Sequence, residues 1–366
     1  MLLTINKKEF AEGVVLVSRF AEKKAGVAQA LSGILLSANK EGVSLRATNL
    51  ETSVSILLNG TIEEEGQVLV PGTVLKEIAS SQTGTQPLKI NFNNDIVTFS
   101  SGSSKSQLKT LSYEDFPGIS LPESKTTSFS LSGAVFKSLI GAVVSCTSQS
   151  TIRPELASVY IRSEGGNIIA VATDSFRLAE KTITLKKNIS PFSMLIPSKN
   201  ALDLAQTIPD DECTIESNEH QCAVSWKNGL FTTRIINSTY PDYIQIIPKD
   251  FTSTAKVLKK DFEQSLKHSA VFSDSFQKIK LGFLKSEESV VLTAKNNDIG
   301  ETEEKMNATI KGEDVELSVN HRYLSAPLSL ITSDSIEIKS AGIGRPIIIN
   351  GITDASYRYL VMPMNQ

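Results

Sequence analysis

The chain is poor in the residues that carry most protein chemistry. Its 366 residues include three histidines, three cysteines and one tryptophan. None of His220, His268 and His321 sits beside a Gly-x-Ser-x-Gly elbow, and there is no His-Glu-x-x-His run, so a hydrolytic triad or a zinc-protease site has little to be built from. Cysteines that are few and odd in number argue against a disulfide framework and suit a reducing cytoplasm. The longest apolar runs, such as "GVVLV" and "PIIINGI", fall far short of the roughly 20 residues that cross a bilayer. The opening "MLLTINKKEF" lacks a basic segment followed by an apolar stretch, so no signal peptide is expected. There is also no excess of positive charge. The net charge is −3, and any nucleic-acid footprint must therefore be local.

What the chain does have is repetition. Its length exceeds what one ordinary core supports, so two or three domains are expected. "KKEFAEGVVLVSRFA" from Lys7, "GAVFKSLIGAVVSCTS" from Gly133 and "KKDFEQSLKHSAVFSD" from Lys259 share one pattern, with Phe10, Phe136 and Phe262 spaced 126 residues apart twice. Apolar residues follow each phenylalanine near helical spacing, which predicts three helices. A second element recurs in "VLVPGTVLKEIASS" and "LIPSKNALDLAQTI", where an extended run ends at Pro71 or Pro197 and an amphipathic helix follows. The third copy, "LSVNHRYLSAPLSLI", has Pro327 inside the helical pattern, which predicts a short or bent helix.

Alternating strands with turns at Asn93–Asp95, Ser217–Glu219 and Gly342/Gly344 read as hairpins. The fold class is therefore α+β, with three repeated domains at 1–122, 123–249 and 250–366, bounded by the polar, proline-containing "ISLPESKTT" and "IIPKDFTST". These thirds carry net charges of −1, 0 and −2. The acidic runs Glu63–Glu65 and Glu301–Glu304 read as solvated loops.

The stretch "VATDSFRLAEKT" (171–182) invites a catalytic reading, with Asp174 and Ser175 as half of a nucleophilic site. No histidine has a sequence-level claim to act as the base, however. The Ala-Thr-Asn/Asp core also recurs in "RATNLETSV" and loosely in "TAKNNDIGETEE", which points to a strand ending in a turn whose Asx side chain satisfies backbone groups. Cys213, His220 and Cys222 could suggest a metal, but strand parity favours buried hairpin thiols. "SGSSKS" (101–106) lacks phosphate-loop spacing, and no cofactor signature is present. The carboxyl-terminal "YRYLVMPMNQ" fits either a last core strand or an adaptable groove lined by Met362 and Met364.

Threefold repetition, "VATDSFRLA", "YPDYIQIIPK" and "VMPM", in that order along the whole chain, resemble the bacterial DNA polymerase III beta subunit family, the sliding clamps. The resemblance implies three DNA-clamp domains per chain and two chains in a six-domain ring, helices inside and sheets outside. Such a ring encircles double-stranded DNA without sequence preference and catalyses nothing. It tethers the replicative DNA polymerase, the clamp loader and repair polymerases through short linear peptides.

By motif match, the peptide pocket would use Leu156, Thr173, Ser175, Phe176, Arg177, Leu178, Pro241, Ile246, Pro346, Leu360, Val361, Met362, Pro363 and Met364, with Arg153 and Tyr323 in an adjoining subsite. Arg177 would either help fix the peptide or form a structural ion pair beside a buried loop. The resemblance also implies DNA contacts through Lys23, Lys24 and Lys199, and a dimer seam at Leu108 and at Val271 and Phe272, of which Phe272 could equally be core. Lys76, Lys137, Lys260, Lys267 and Arg322 are DNA-facing candidates by helical position alone. The family commonly has Gly-His where this chain has Ser175-Phe176, and often arginines where Ile244 and Gln245 stand. The alternative is a diverged ring-shaped peptide-binding hub not dedicated to replication.

Overall fold

The computed structural model describes residues 1–21, 28–81, 86–185 and 189–364. Its element order repeats three times. The first run is β1 (Leu2–Ile5), α1 (Lys7–Val17), β2 (Gly33–Asn39), β3 (Gly42–Thr48), β4 (Thr52–Leu58), β5 (Gly60–Glu64), β6 (Gly66–Pro71), α2 (Gly72–Ser81), β7 (Leu88–Asn93), β8 (Ile96–Ser101) and β9 (Ser104–Lys109). The second is β10 (Thr127–Ser132), α3 (Gly133–Val143), β11 (Ser158–Glu164), β12 (Asn167–Thr173), β13 (Arg177–Thr184), β14 (Ser193–Pro197), α4 (Ser198–Thr207), β15 (Glu212–Ser217), β16 (Gln221–Trp226) and β17 (Gly229–Arg234). The third is β18 (Ser253–Leu258), α5 (Lys259–Val271), β19 (Lys278–Leu284), β20 (Ser289–Asn296), β21 (Gly300–Gly312), β22 (Val315–Asn320), α6 (His321–Ser325), β23 (Ser335–Ser340), β24 (Ile347–Gly351) and β25 (Tyr357–Val361). The third run is a βαβββ unit written twice.

Local chemistry sets the ends of these elements. Asn6 caps α1, its side-chain oxygen accepting from the amides of Lys8 and Glu9. The anchoring Phe10, Phe136 and Phe262 are all buried. Pro71 and Pro197 end β6 and β14, and a helix follows each. The helix before Pro327 stops after five residues, α6, because proline has no amide to continue the ladder. The β7–β8 hairpin turns at Asn94 (φ 48°) and Asp95 (φ 61°), two residues that tolerate the left-handed region a tight hairpin requires.

Two compact units result, Met1–Lys137 with Asp203–Ile235, and Ser138–Leu202 with Ile236–Gln366. The first holds a five-stranded sheet, β5-β1-β7-β8-β9, and an eight-stranded sheet, β10-β15-β16-β17-β4-β3-β2-β6. The second holds a twelve-stranded sheet, β14-β11-β12-β13-β25-β24-β23-β18-β21-β20-β19-β22. The central repeat is thus divided. Its β17 pairs with β4 of the first repeat, and its β13 with β25 of the third. Backbone pairing across a repeat boundary leaves no gap there.

One expectation is corrected. Glu63 and Glu64 lie in β5 and Glu301–Glu304 in β21, so these acidic runs are strand, not loop. Glu63 and Glu64 are exposed on both faces of β5, an edge strand, while in β21 Glu301 and Glu303 share the exposed face and Glu304, on the other, lies beside His268.

Candidate functional site

The "TDSFR" segment is a turn between β12 and β13. Ser175 takes a positive φ of 77°. Thr173 Oγ1 accepts from the Ser175 amide at 3.1 Å and donates to the Arg177 carbonyl at 2.7 Å. Asp174 Oδ1 accepts from the amides of Phe176 and Arg177, both at 3.0 Å. The same construction recurs at Thr48 to Thr52. There Leu50 has φ 74°, and Asn49 Oδ1 accepts from the amides of Glu51 and Thr52. The motif is therefore a shape-holding turn.

What distinguishes the second copy is Arg177. Its Nε donates to Asp174 Oδ2 at 2.9 Å, and an Nη donates to the Ser145 carbonyl at 2.6 Å. Its guanidinium carbon lies 4.7 Å from the centre of the Tyr323 ring. Of the two roles open to Arg177, the structure displays the ion pair. Both Asp174 oxygens thus serve the turn, Oδ1 through two backbone amides and Oδ2 through Arg177. Beneath this turn, burial pushes the Cys146 thiol up to about 11, with Arg177 pulling the other way.

The carboxyl-terminal residues divide into two groups. Leu360 and Val361 belong to β25, pair with Leu178 and Arg177 of β13, and are buried. Met362, Pro363 and Met364 run past the strand and are half-buried. Their backbone is held, with the Met362 amide donating to the Phe176 carbonyl and the Met364 amide to the Ser318 carbonyl, both at 2.8 Å. The last-strand reading thus holds for Leu360 and Val361, and Met362–Met364 lie beyond that strand.

Leu156, Leu178 and Leu360 join Ile169, Val171, Leu195, Tyr240 and Tyr243 in one buried cluster, with Met362 packed against it. Phe176 is 61 % exposed and Ile246 45 %. Pro241 is half-buried between the two cluster tyrosines, and Pro346 is half-buried just before β24. Arg153 is exposed and paired with Glu155 at 2.8 Å. Tyr240 and Tyr243 were missed from sequence, although their spacing in "YPDY" was the available signal. Tyr160, stacked on Tyr240 at 4.6 Å, had none.

The remaining nominated residues lie elsewhere. Leu108 is half-buried on β9, an edge strand. Val271 ends α5 and is exposed, and Phe272 caps the helix half-buried. Lys199 is exposed in the first turn of α4. Lys23 and Lys24 lie outside the described residues. Lys137 pairs with Asp210 at 2.7 Å and Lys267 with Glu263 at 2.8 Å. In the first unit, Lys7, Lys8 and Arg19 line a groove of about 660 Å³ beside α1. Among the described residues no cluster of acidic, histidine or cysteine side chains is arranged to hold a metal, and no helix is long and apolar enough to cross a membrane. Cys213 and Cys222 are buried in neighbouring strands, and burial pushes Cys222 up to about 12.

Residues 1–121 match the N-terminal domain of the DNA polymerase III beta subunit, residues 130–242 its central domain, and residues 244–365 its C-terminal domain. The chain belongs to the DNA polymerase III beta subunit family. Three clamp domains therefore follow one another along it, in the family's order. Among relatives of this family, the beta sliding clamp of Streptomyces coelicolor is 26% identical over 100% of this chain and 99% of that one. That of Streptococcus pneumoniae strain R6 is 27% identical over 99% and 98%. Solved structures share the fold. The Thermotoga maritima beta subunit has a TM-score of 0.92 at 22% identity, covering 100% of both chains. A sliding clamp from Pseudomonas aeruginosa bound to griselimycin has a TM-score of 0.95 at 22% identity, again covering 100% of both.

Proposed function

We propose that two copies of this chain close head-to-tail into a ring around duplex DNA and tether the replicative polymerase to it. The observation that carries this is a pair of unsatisfied strand edges. Each repeat ends in a strand that seeks a partner. β17 finds it in β4 and β25 finds it in β13, whereas among the described residues β9 pairs only with β8. The counterpart of β4 and β13 is the first part of β21, where residues 300–307 pair, among the described residues, with β20 alone. A second copy supplies what each edge lacks. Charge favours the match, since β9 carries Lys105 and Lys109 and the free part of β21 carries Glu301, Glu303 and Glu304.

In this reading the domains run 1–122, 123–249 and 250–366, and the protein works in the cytoplasm as a non-catalytic processivity subunit. Contacts with DNA are to phosphates, from Lys23, Lys24, Lys199 and the basic groove beside α1, and are weak enough to permit sliding. The cluster around Leu178 and Leu360, rimmed by Phe176, Ile246 and Met362–Met364, takes a short apolar peptide from the polymerase, the clamp loader or repair polymerases. Retention on DNA is the test. Protein placed on nicked circular DNA by a clamp loader stays bound through high-salt gel filtration and is lost when the circle is linearised. Equal retention on both forms would mean ordinary binding and favour a peptide-binding hub.

A further inference from the structure

Among the described residues, the segment joining β17 to β18 has no strand partner over Tyr240–Ile247 and holds one short 3-10 turn, Tyr243–Ile246. Its position therefore depends on side-chain anchors. Asp242 caps the turn, accepting from the Ile244 amide at 3.3 Å and from Gln245 Nε2 at 2.8 Å. These bonds are internal to the segment and do not locate it on the protein. Tyr240 stacks on Tyr160 of β11, and Tyr243 meets Tyr240 edge-on at 6.3 Å. The Tyr243 hydroxyl then makes the directed contacts. It donates to Glu180 Oε2 of β13 at 2.7 Å and accepts from an Nη of Arg162 of β11 at 3.2 Å. Glu180 Oε1 is paired with Arg358 of β25 at 3.3 Å, and Arg162 with Glu164 at 2.5 Å.

One phenol thus joins the linking segment to a strand of the central repeat on each side, and through Glu180 to the last strand of the chain. The Glu180 side chain is only 13% exposed, so both of its oxygens require donors. On the solvent side, the turn presents Ile244 (54% exposed) and Ile246 (45%).

We infer that Tyr243 is a positioning residue for partner-peptide binding. Its hydroxyl, held between Glu180 and Arg162, fixes the turn so that Ile244 and Ile246 form one lip of the apolar pocket. The inference rests on the peptide-pocket reading above. A hydrocarbon ring would fill the same space in the cluster, but it would leave Glu180 and Arg162 each one partner short and the turn free to shift.

The test uses the full chain and a probe of defined behaviour. This is an uncharged, apolar eight-residue peptide, selected from a library for tight binding that is lost on truncation after Val361. Tyr243→Phe is expected to raise its Kd roughly five- to tenfold. In an Ile244→Ser/Ile246→Ser background the same change should add nothing, since the lip it positions is gone. Glu180→Gln, which keeps an acceptor, should cost less affinity than Glu180→Leu. If Tyr243→Phe lowers the thermal midpoint and leaves peptide Kd unchanged, or if its effect persists undiminished in the double-serine background, the positioning role is wrong. If no library peptide is sensitive to the Val361 truncation, the pocket reading itself fails, which is a separate result.

Discussion

The ring of Phe20, in the 3-10 turn that follows α1, meets the ring of Phe231 on β17 edge-on at 5.7 Å. This contact closes the seam at which the second repeat's last strand joins the first repeat's sheet. Ten residues after each helix phenylalanine stand Phe20, Cys146 and Phe272. Cys146 lies beside Tyr359 of β25 at the second seam. Phe272 is the third member and is only half-buried. In the ring proposed above, the β9 edge of a second copy covers it.

Phe272→Asp is therefore expected to shift the dimer toward monomer at least tenfold while leaving the thermal midpoint of the monomer nearly unchanged. Equilibrium sedimentation at several concentrations measures the shift. Because Lys105, Lys109 and the acidic part of β21 are surface charges, raising salt from 50 to 500 mM should weaken the same association.

Ser175 occupies the left-handed region, which costs a residue with a side chain about 1 kcal/mol relative to glycine. Ser175→Gly should stabilise the protein by about 0.5–1 kcal/mol in urea denaturation, and Ser175→Val should destabilise it by more than that. Ser175→Ala should leave retention on circular DNA intact, because tethering by a ring needs no nucleophile. By contrast, Asp174→Ala removes the acceptor of two backbone amides and the ion-pair partner of Arg177, costing about 2–3 kcal/mol.

Truncation after Val361 separates the strand from the tail. β25 keeps its pairing with β13 and β24, so the thermal midpoint should change little. Loss of Met362, Pro363 and Met364 should weaken peptide binding at least tenfold. Fluorescence anisotropy on the truncated chain checks both halves of the expectation when paired with a melting curve.

The buried thiols give a pH signature. Burial raises Cys146 to about 11 and Cys222 to about 12, against an ordinary thiol near 8.5. The folded protein holds these protons while the unfolded chain releases them. The stability they contribute is thus fully present below about pH 8.5 and is lost progressively as pH rises toward 11 and 12. Cys146→Ala and Cys222→Ala should flatten that decline in urea titrations across pH 8–11. At pH 8 the native protein should resist thiol reagents that label all three cysteines after denaturation.

Much of the fold was legible because it is carried by side-chain periodicity and turn chemistry. The Phe10, Phe136 and Phe262 helices, the proline-ended strands and the Asn94–Asp95 hairpin all follow from local pattern. The seams were not legible. β17 on β4 and β13 on β25 are backbone pairings, and a ladder of amides and carbonyls leaves no mark in residue type. Glu301–Glu304 read as loop because charges on both faces of a strand break the apolar alternation that marks one in sequence. In the site, the apolar residues were found by motif, but the bond from Arg177 to the Ser145 carbonyl and the Tyr243–Glu180–Arg162 contacts join residues 32 to 81 positions apart. No local pattern encodes such distances.

The central claim is that two copies close on each other through β9 and β21. The most direct measurement is the native mass at micromolar concentration by sedimentation velocity. The account predicts a single particle of twice the 39.7 kDa chain mass that falls to monomer when Lys105 and Lys109 are replaced by glutamate. A wild-type monomer at these concentrations, or a dimer indifferent to those two lysines and to Phe272, would contradict it.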